Sequence, residues 1–192
     1  ILAEPESGEY KSSAPLIKAM LNYGGYAQTY FNEKTDALAN KELYNKTNDP
    51  VLTTNTTVSK DYNYAAFNNN MGVSFIGGSL VLNSGTDLKL YYSMDDQNMA
   101  NNINVSVNGQ NVAPEYDGNI MCVRVPDISI SSLGDTYNVK ISVNGKEVNQ
   151  KYSVMTYMYK ALNAQNSNTK LNNVVKALYL YNEAAKQYSM GN

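Results

Sequence analysis

Two Asn-Gly dipeptides, Asn108-Gly109 and Asn144-Gly145, each set between residues that alternate apolar and polar, restrict the folds open to this chain more than any other feature. Asn-Gly favours the two-residue type I′ hairpin, because both central residues of that turn need a positive φ. Each dipeptide therefore predicts two antiparallel strands. The surrounding residues repeat as well: Asn104-Val105-Ser106-Val107-Asn108-Gly109 is similar to Lys140-Ile141-Ser142-Val143-Asn144-Gly145, through duplication of a hairpin or convergence on the same turn chemistry. Alternation extends over 51–152 and predicts strands at 51–60, 71–76, 79–82, 87–94, 103–107, 110–113, 119–125, 137–143 and 146–152. Gly77-Gly78 reads as the turn between the second and third of these.

On either side of this stretch the period becomes helical. Pro15 suits a first helical turn after Ser12 and Ser13, and Leu16, Met20, Gly24, Ala27 and Phe31 follow at helical spacing, predicting a helix over 14–32. A shorter helix is predicted over 35–41. Val154, Met158 and Leu162 predict a helix ending near Asn163, 164–169 a polar loop, and Val174, Leu178, Tyr181, Ala185 and Tyr188 one face of a C-terminal helix. Placing Ile17-Lys18-Ala19-Met20 on Val175-Lys176-Ala177-Leu178 also matches Tyr23 with Tyr181, Ala27 with Ala185 and Tyr30 with Tyr188. The first and last helices are expected to pack together, with Gly24 and Gly25 admitting a close neighbour. The expected fold is α+β: an antiparallel immunoglobulin-like β-sandwich bracketed by N- and C-terminal helices. Residues 1–13 read as a flexible lead-in, and 14–192 as a single α+β unit, helical over 14–45 and 153–190 with the β-sandwich inserted at 51–152.

Composition narrows the chemistry. Fifteen basic against 17 acidic residues, with charged residues only 17% of 192, disfavour nucleic acid or an anionic membrane as partner, since clustered positive charge holds both. With no His and one Cys, a Ser-His-Asp triad, a Cys-His pair, a zinc site built on Cys and His and an internal disulfide are excluded. Polarity comes from amides and hydroxyls: about one residue in seven is Asn, and there are 17 Tyr but no Trp. That balance suits an exported bacterial surface protein. No apolar run reaches the ~18 residues of a membrane span, and no signal peptide is present. The chain opens on Ile1, as a mature or trimmed fragment would.

Candidate sites are few. Tyr62, Tyr64 and Phe67 precede Asn68-Asn69-Asn70, where aromatic faces beside amides could stack on a sugar and bond its hydroxyls. Tyr91 and Tyr92 join this set, although they point to opposite sheet faces and only one can be core. The plainer reading of all five is half-buried tyrosine and phenylalanine under a loop. Asp95-Asp96-Gln97-Asn98 gathers oxygen-bearing side chains in a loop, making Asp95, Asp96 and Asn98 candidate calcium ligands, although EF-hand spacing is absent and a solvated turn closing the strand is the plainer reading. Cys122 shares a strand face with Ile120 and Arg124 and reads as a buried, inert thiol. Glycoside hydrolysis needs two carboxylates ~5–9.5 Å apart, and no local motif singles out a pair.

The run Asp87-Leu88-Lys89-Leu90-Tyr91-Tyr92, the strand into Asn108-Gly109, the segment from Val125-Pro126-Asp127 to Leu133-Gly134-Asp135 with its strand-ending proline, and Val175-Lys176-Ala177-Leu178-Tyr179-Leu180-Tyr181 carry a resemblance. Together with the opening Lys18-Ala19-Met20-Leu21-Asn22-Tyr23-Gly24-Gly25-Tyr26, they resemble an uncharacterised C-terminal module of secreted and cell-surface proteins of gut Clostridia and Ruminococcus relatives. The resemblance spans about 14–190 and carries no catalytic residue. It implies a non-catalytic binding or adhesion module, facing a glycan, a cell-wall polymer or a surface protein and joined to neighbouring domains of a larger parent. A structural spacer without ligand is the alternative, and a glycoside-active enzyme a distant one.

Overall fold

The structure is a computed structural model that describes residues 13–33, 57–65, 67, 71–82, 85–165 and 168–190. The chain divides into two compact units, Ser59–Tyr157 and a unit made of Ile1–Val58 with Met158–Asn192 whose described residues are mostly helical, hence the helical unit.

The helical unit contains α1 (Ala14–Tyr30), the last turns of α2 (Val154–Leu162) and α3 (Thr169–Met190). Pro15 sits in the first turn of α1, where a missing N–H costs nothing. The helix stops because Asn32 takes φ +58°, letting Asn32 and Glu33 donate back to the carbonyls of Thr29 (3.3 Å) and Gln28 (2.9 Å) in a Schellman closure. Asn168 starts α3 by accepting the Lys170 and Leu171 amides at 3.0 and 3.2 Å. α1 and α3 pack on each other: Tyr23 stacks on Tyr181 with ring centroids 5.9 Å apart, and Lys170 donates to Asn32 at 2.5 Å. Since Asn32 follows α1 and Lys170 opens α3, the pair is antiparallel. Gly24 departs from expectation, because among the described residues nothing lies within 4 Å of where its Cβ would be. No described neighbour therefore requires that glycine.

Among the described residues the second unit holds eight strands: β1 (Val73–Leu82), β2 (Thr86–Met94), β3 (Ile103–Val107), β4 (Gln110–Val112), β5 (Glu115–Asp117), β6 (Ile120–Ile128), β7 (Tyr137–Val143) and β8 (Lys146–Tyr152). They form two antiparallel four-stranded sheets ordered β1-β2-β6-β5 and β4-β3-β7-β8. Both Asn-Gly turns are present, with φ +50° and +82° at Asn108 and Gly109 and +50° and +78° at Asn144 and Gly145. Alternate residues of β2, β6 and β7 fill the interior. Leu88, Leu90 and Tyr92 of β2, Met121 and Val123 of β6 and Val139 and Ile141 of β7 have no exposed surface. The sheets touch through this core: the Tyr92 hydroxyl donates to Gln150 of β8 at 2.7 Å, and Phe75 of β1 lies 5.6 Å from the Tyr152 ring of β8. Ser153 and Thr156 close the start of α2 in a reciprocal cap, each side-chain oxygen accepting the other's amide (3.0 and 3.1 Å).

Three strand expectations are corrected. Gly77-Gly78 is no turn, since β1 runs continuously through it with a bulge between Phe75 and Gly77. Gly78 faces inward, where a Cβ would meet the Tyr152 hydroxyl at 3.0 Å, so the glycine makes room for an aromatic ring. Pro126 does not end its strand; Pro126 and Asp127 bulge within β6, so that Leu88 pairs with Val125 but Thr86 with Ile128. The predicted strand at 51–60 falls outside the described residues over 51–56, while Thr57–Ser59 is not strand and Lys60–Tyr62 is a 3-10 turn. The short helix at 35–41 also lies outside them. β5, paired with β6 across the Gly118-Asn119 turn, was not expected. No helix among the described residues is long and apolar enough to cross a membrane.

Candidate functional site

The five aromatic candidates do not converge. Tyr92 belongs to the core: it has no exposed surface, stacks on Phe67 at 5.6 Å and packs against Phe75 at 5.4 Å. Burial raises its phenol far above the ordinary value, so it stays protonated as donor to Gln150. Tyr92 and its cover Phe67 thus hold the interior together rather than offering rings to a ligand. Tyr91 faces outward on the same strand, half-buried, its hydroxyl 3.2 Å from that of Ser79. Tyr64 lies beside β7, its hydroxyl 3.1 Å from that of Thr136. Tyr62 is half-buried in the 3-10 turn that Ser59 caps.

The acidic loop has a local use. Asp96 caps the 3-10 helix Gln97–Asn102, and one of its carboxylate oxygens accepts both the backbone and side-chain amides of Asn98 at 2.9 Å. The Asp95 amide donates to the Gly72 carbonyl at 2.9 Å. All three candidate calcium ligands are exposed, and among the described residues no three His, Cys, Asp or Glu side chains come together as a metal would require. Cys122 is buried on the outer face of its sheet, and burial raises its thiol above the ordinary value, which keeps it protonated and unreactive.

The most tightly held carboxylate is Asp87. It is buried, accepts the Asp127 amide at 2.9 Å and pairs with the Arg124 guanidinium. The Asp127 amide and then Arg124 hold its carboxyl below the usual carboxylate range. Asp127 stands in the β6 bulge at φ +55°, so Asp87 fastens that bulge to β2.

One surface was not anticipated. On the outer face of the second sheet a shallow concavity of about 230 Å³ is lined by Asn104, Ser106, Asn111, Lys140 and Ser142, with Val105 beneath. Strand register explains it: Asn111 of β4, Ser106 of β3 and Lys140 of β7 form one cross-strand row, and Asn104, Ser142 and Glu147 the next. Glu147 accepts from Lys140 at 3.0 Å and from the Ser142 hydroxyl at 3.2 Å, and these bonds lower its pKa. The two similar hexapeptides supply the central strands of this face. The signal lay in that repeat, but only strand order reveals that its copies are neighbours. Comparison of the chain with protein-family models, with curated proteins and with solved structures gives no match.

Proposed function

We propose that this chain is a non-catalytic binding module of a secreted or surface-exposed bacterial protein, engaging a glycan, a cell-wall polymer or another surface protein. The observation that carries this reading is the amide-and-hydroxyl concavity, a recessed polar surface on the outer face of the second sheet. Its groups bind by hydrogen bonding, and the carboxylates whose pKa is lowered, Asp87 and Glu147, are each occupied by a cation in a structural pair. The composition and the resemblance described above support an exported bacterial setting.

The strand orders support an immunoglobulin-like sandwich for the second unit. β1-β2-β6-β5 follows the A-B-E-D order of that fold, and β8-β7-β3-β4 follows G-F-C with β4 in the C′ position. Tyr137 opens the F-position strand two residues before fully buried Val139, where antibody domains carry a cysteine.

The test is a binding screen of the purified protein on plant, host and bacterial glycans, on insoluble cell-wall material and on surface-protein extracts, with calcium and again with chelator. Saturable, chelator-insensitive binding is the expected result. Silence across glycans, wall material and surface-protein extracts would favour the second reading, a spacer that positions its neighbours.

A further inference from the structure

We infer that the concavity of the second sheet is the ligand site, that it arises from the repeated hairpin, and that its ligand is an uncharged, hydroxyl-rich chain such as a neutral oligosaccharide. This rests on the binding reading above and assigns it a place and a ligand class. Asn104 pairs with Ser142, Val105 with Ile141 and Ser106 with Lys140, so the copies run antiparallel about a local two-fold through Val105 and Ile141. Within each copy the serine faces the neighbouring hairpin strand at the same offset: Ser106 opposes Asn111, and Ser142 opposes Glu147. Asn104, Ser106 and Asn111 are therefore the counterparts of Lys140, Ser142 and Glu147. Two related polar triads meet on one face with their serines at the centre.

The surface differs from the merely wetted side of an antiparallel sheet. Ser106 points outward yet keeps only 7% of its surface exposed, as the floor of the recess between exposed Asn104 and Asn111. Charge selects the ligand class. One triad is neutral, and in the other Glu147 compensates Lys140 at 3.0 Å, so the six side chains sum to zero. An anionic ligand would find Lys140 already paired, and a cation would find Glu147 already paired. A neutral ligand with many hydroxyls can bond amides, hydroxyls and both ends of that ion pair without breaking it. Among the described residues no aromatic ring lines the recess, so the ligand is held by hydrogen bonds, and a volume below the ~300–1,000 Å³ of drug-sized pockets suits one ring of a chain lying across an open sheet. Single-site binding should be weak and little affected by salt.

The experiment is an amide-resolved NMR titration of the intact protein with neutral gluco-, xylo-, manno- and chito-oligosaccharides and with acidic galacturonate oligomers, at low and high salt. Neutral oligomers are expected to shift β3, β4 and β7 resonances and the side-chain amides of Asn104 and Asn111. Asn104→Ala and Asn111→Ala should each weaken binding about three- to tenfold, the worth of one hydrogen bond, with the spectrum otherwise unchanged. Asn111 lies on the short β4, so its variant leaves β3 and β7 intact if Asn104→Ala perturbs folding. Glu147→Gln, which frees Lys140, should create salt-sensitive binding of the acidic oligomers. Binding that shifts other residues and ignores these variants would overturn the site but leave the binding reading standing. Salt-sensitive preference of the unaltered protein for acidic oligomers would overturn the ligand class. Silence toward every oligomer, together with silence in the broad screen, would overturn both readings, whereas silence toward the oligomers alongside capture of a protein would overturn only this one.

Discussion

Two glycines that look alike in the sequence have opposite consequences once placed. Gly24 lies inside α1 with nothing among the described residues within 4 Å of where a side chain would start, so Gly24→Ala should stabilise the protein by about 1 kcal/mol, the difference in helix propensity. Gly78 faces the Tyr152 ring, with the hydroxyl 3.0 Å and two ring carbons 3.3 Å from a would-be Cβ, so Gly78→Ala should destabilise by about 1–3 kcal/mol. Chemical denaturation of the two variants should move in opposite directions; a shift of the same sign would contradict these placements. Both glycines belong to Gly-Gly pairs, and sequence assigned one to helix packing and the other to a turn. Glycine reports that a side chain is absent but not which neighbour requires the absence, and that neighbour can be more than seventy residues away. Tyr92 makes the same point. Alternation establishes that it and Tyr91 face opposite ways, but the identity of the inner face depends on Gln150 and Phe67, which no local pattern brings near.

At the scale of elements the turns were the most legible features and the polar surface the least. Asn-Gly enforces its geometry through two adjacent residues, so both hairpins were plain in the sequence. Yet the turns are unequal. Asn108 also accepts the Asn138 amide on its side chain and donates its own amide to the Asn138 carbonyl, each at 2.9 Å, extending the β3–β7 ladder past Val107 and Val139. Asn108→Gly is expected to cost about 1 kcal/mol more than Asn144→Gly, since only the former loses this bond. Hydrogen exchange should show the difference first at the Asn138 amide, and equal effects would argue against the extra bond. β5 escaped notice because Glu115-Tyr116-Asp117 is short and polar, as edge strands are. The candidate site escaped for a related reason: Asn, Ser and Lys on outward positions look like any wetted face until strand order sets the two hairpins side by side.

For the molecule as a whole, the scarcity of charge makes pH response readable. Asp87 has a folded pKa below its unfolded value, so its contribution is present above about pH 3.9 and is lost as pH falls through the folded value. Tyr23 and Tyr152 are raised by burial to about 12, so their contribution is present below about pH 10 and is lost as pH rises toward 12. With no histidine there is no ordinary side-chain titration near neutrality. Urea midpoints are therefore expected to be flat between about pH 5 and 9, to fall in acid as Asp87 protonates and to fall above about pH 10, with Asp87→Asn flattening the acid limb. A step inside the plateau would contradict this assignment. The α+β class, the helix pairing and most strands were legible because each rests on local period or turn chemistry, whereas sheet order rests on pairings between distant segments. The antiparallel helix pair carries a mechanical consequence. Ala14 and Met190 stand at the same end of it, so neighbours attached there would make the module a side branch rather than a link in line. Tension between those attachments would peel α1 from α3 turn by turn, starting at that end.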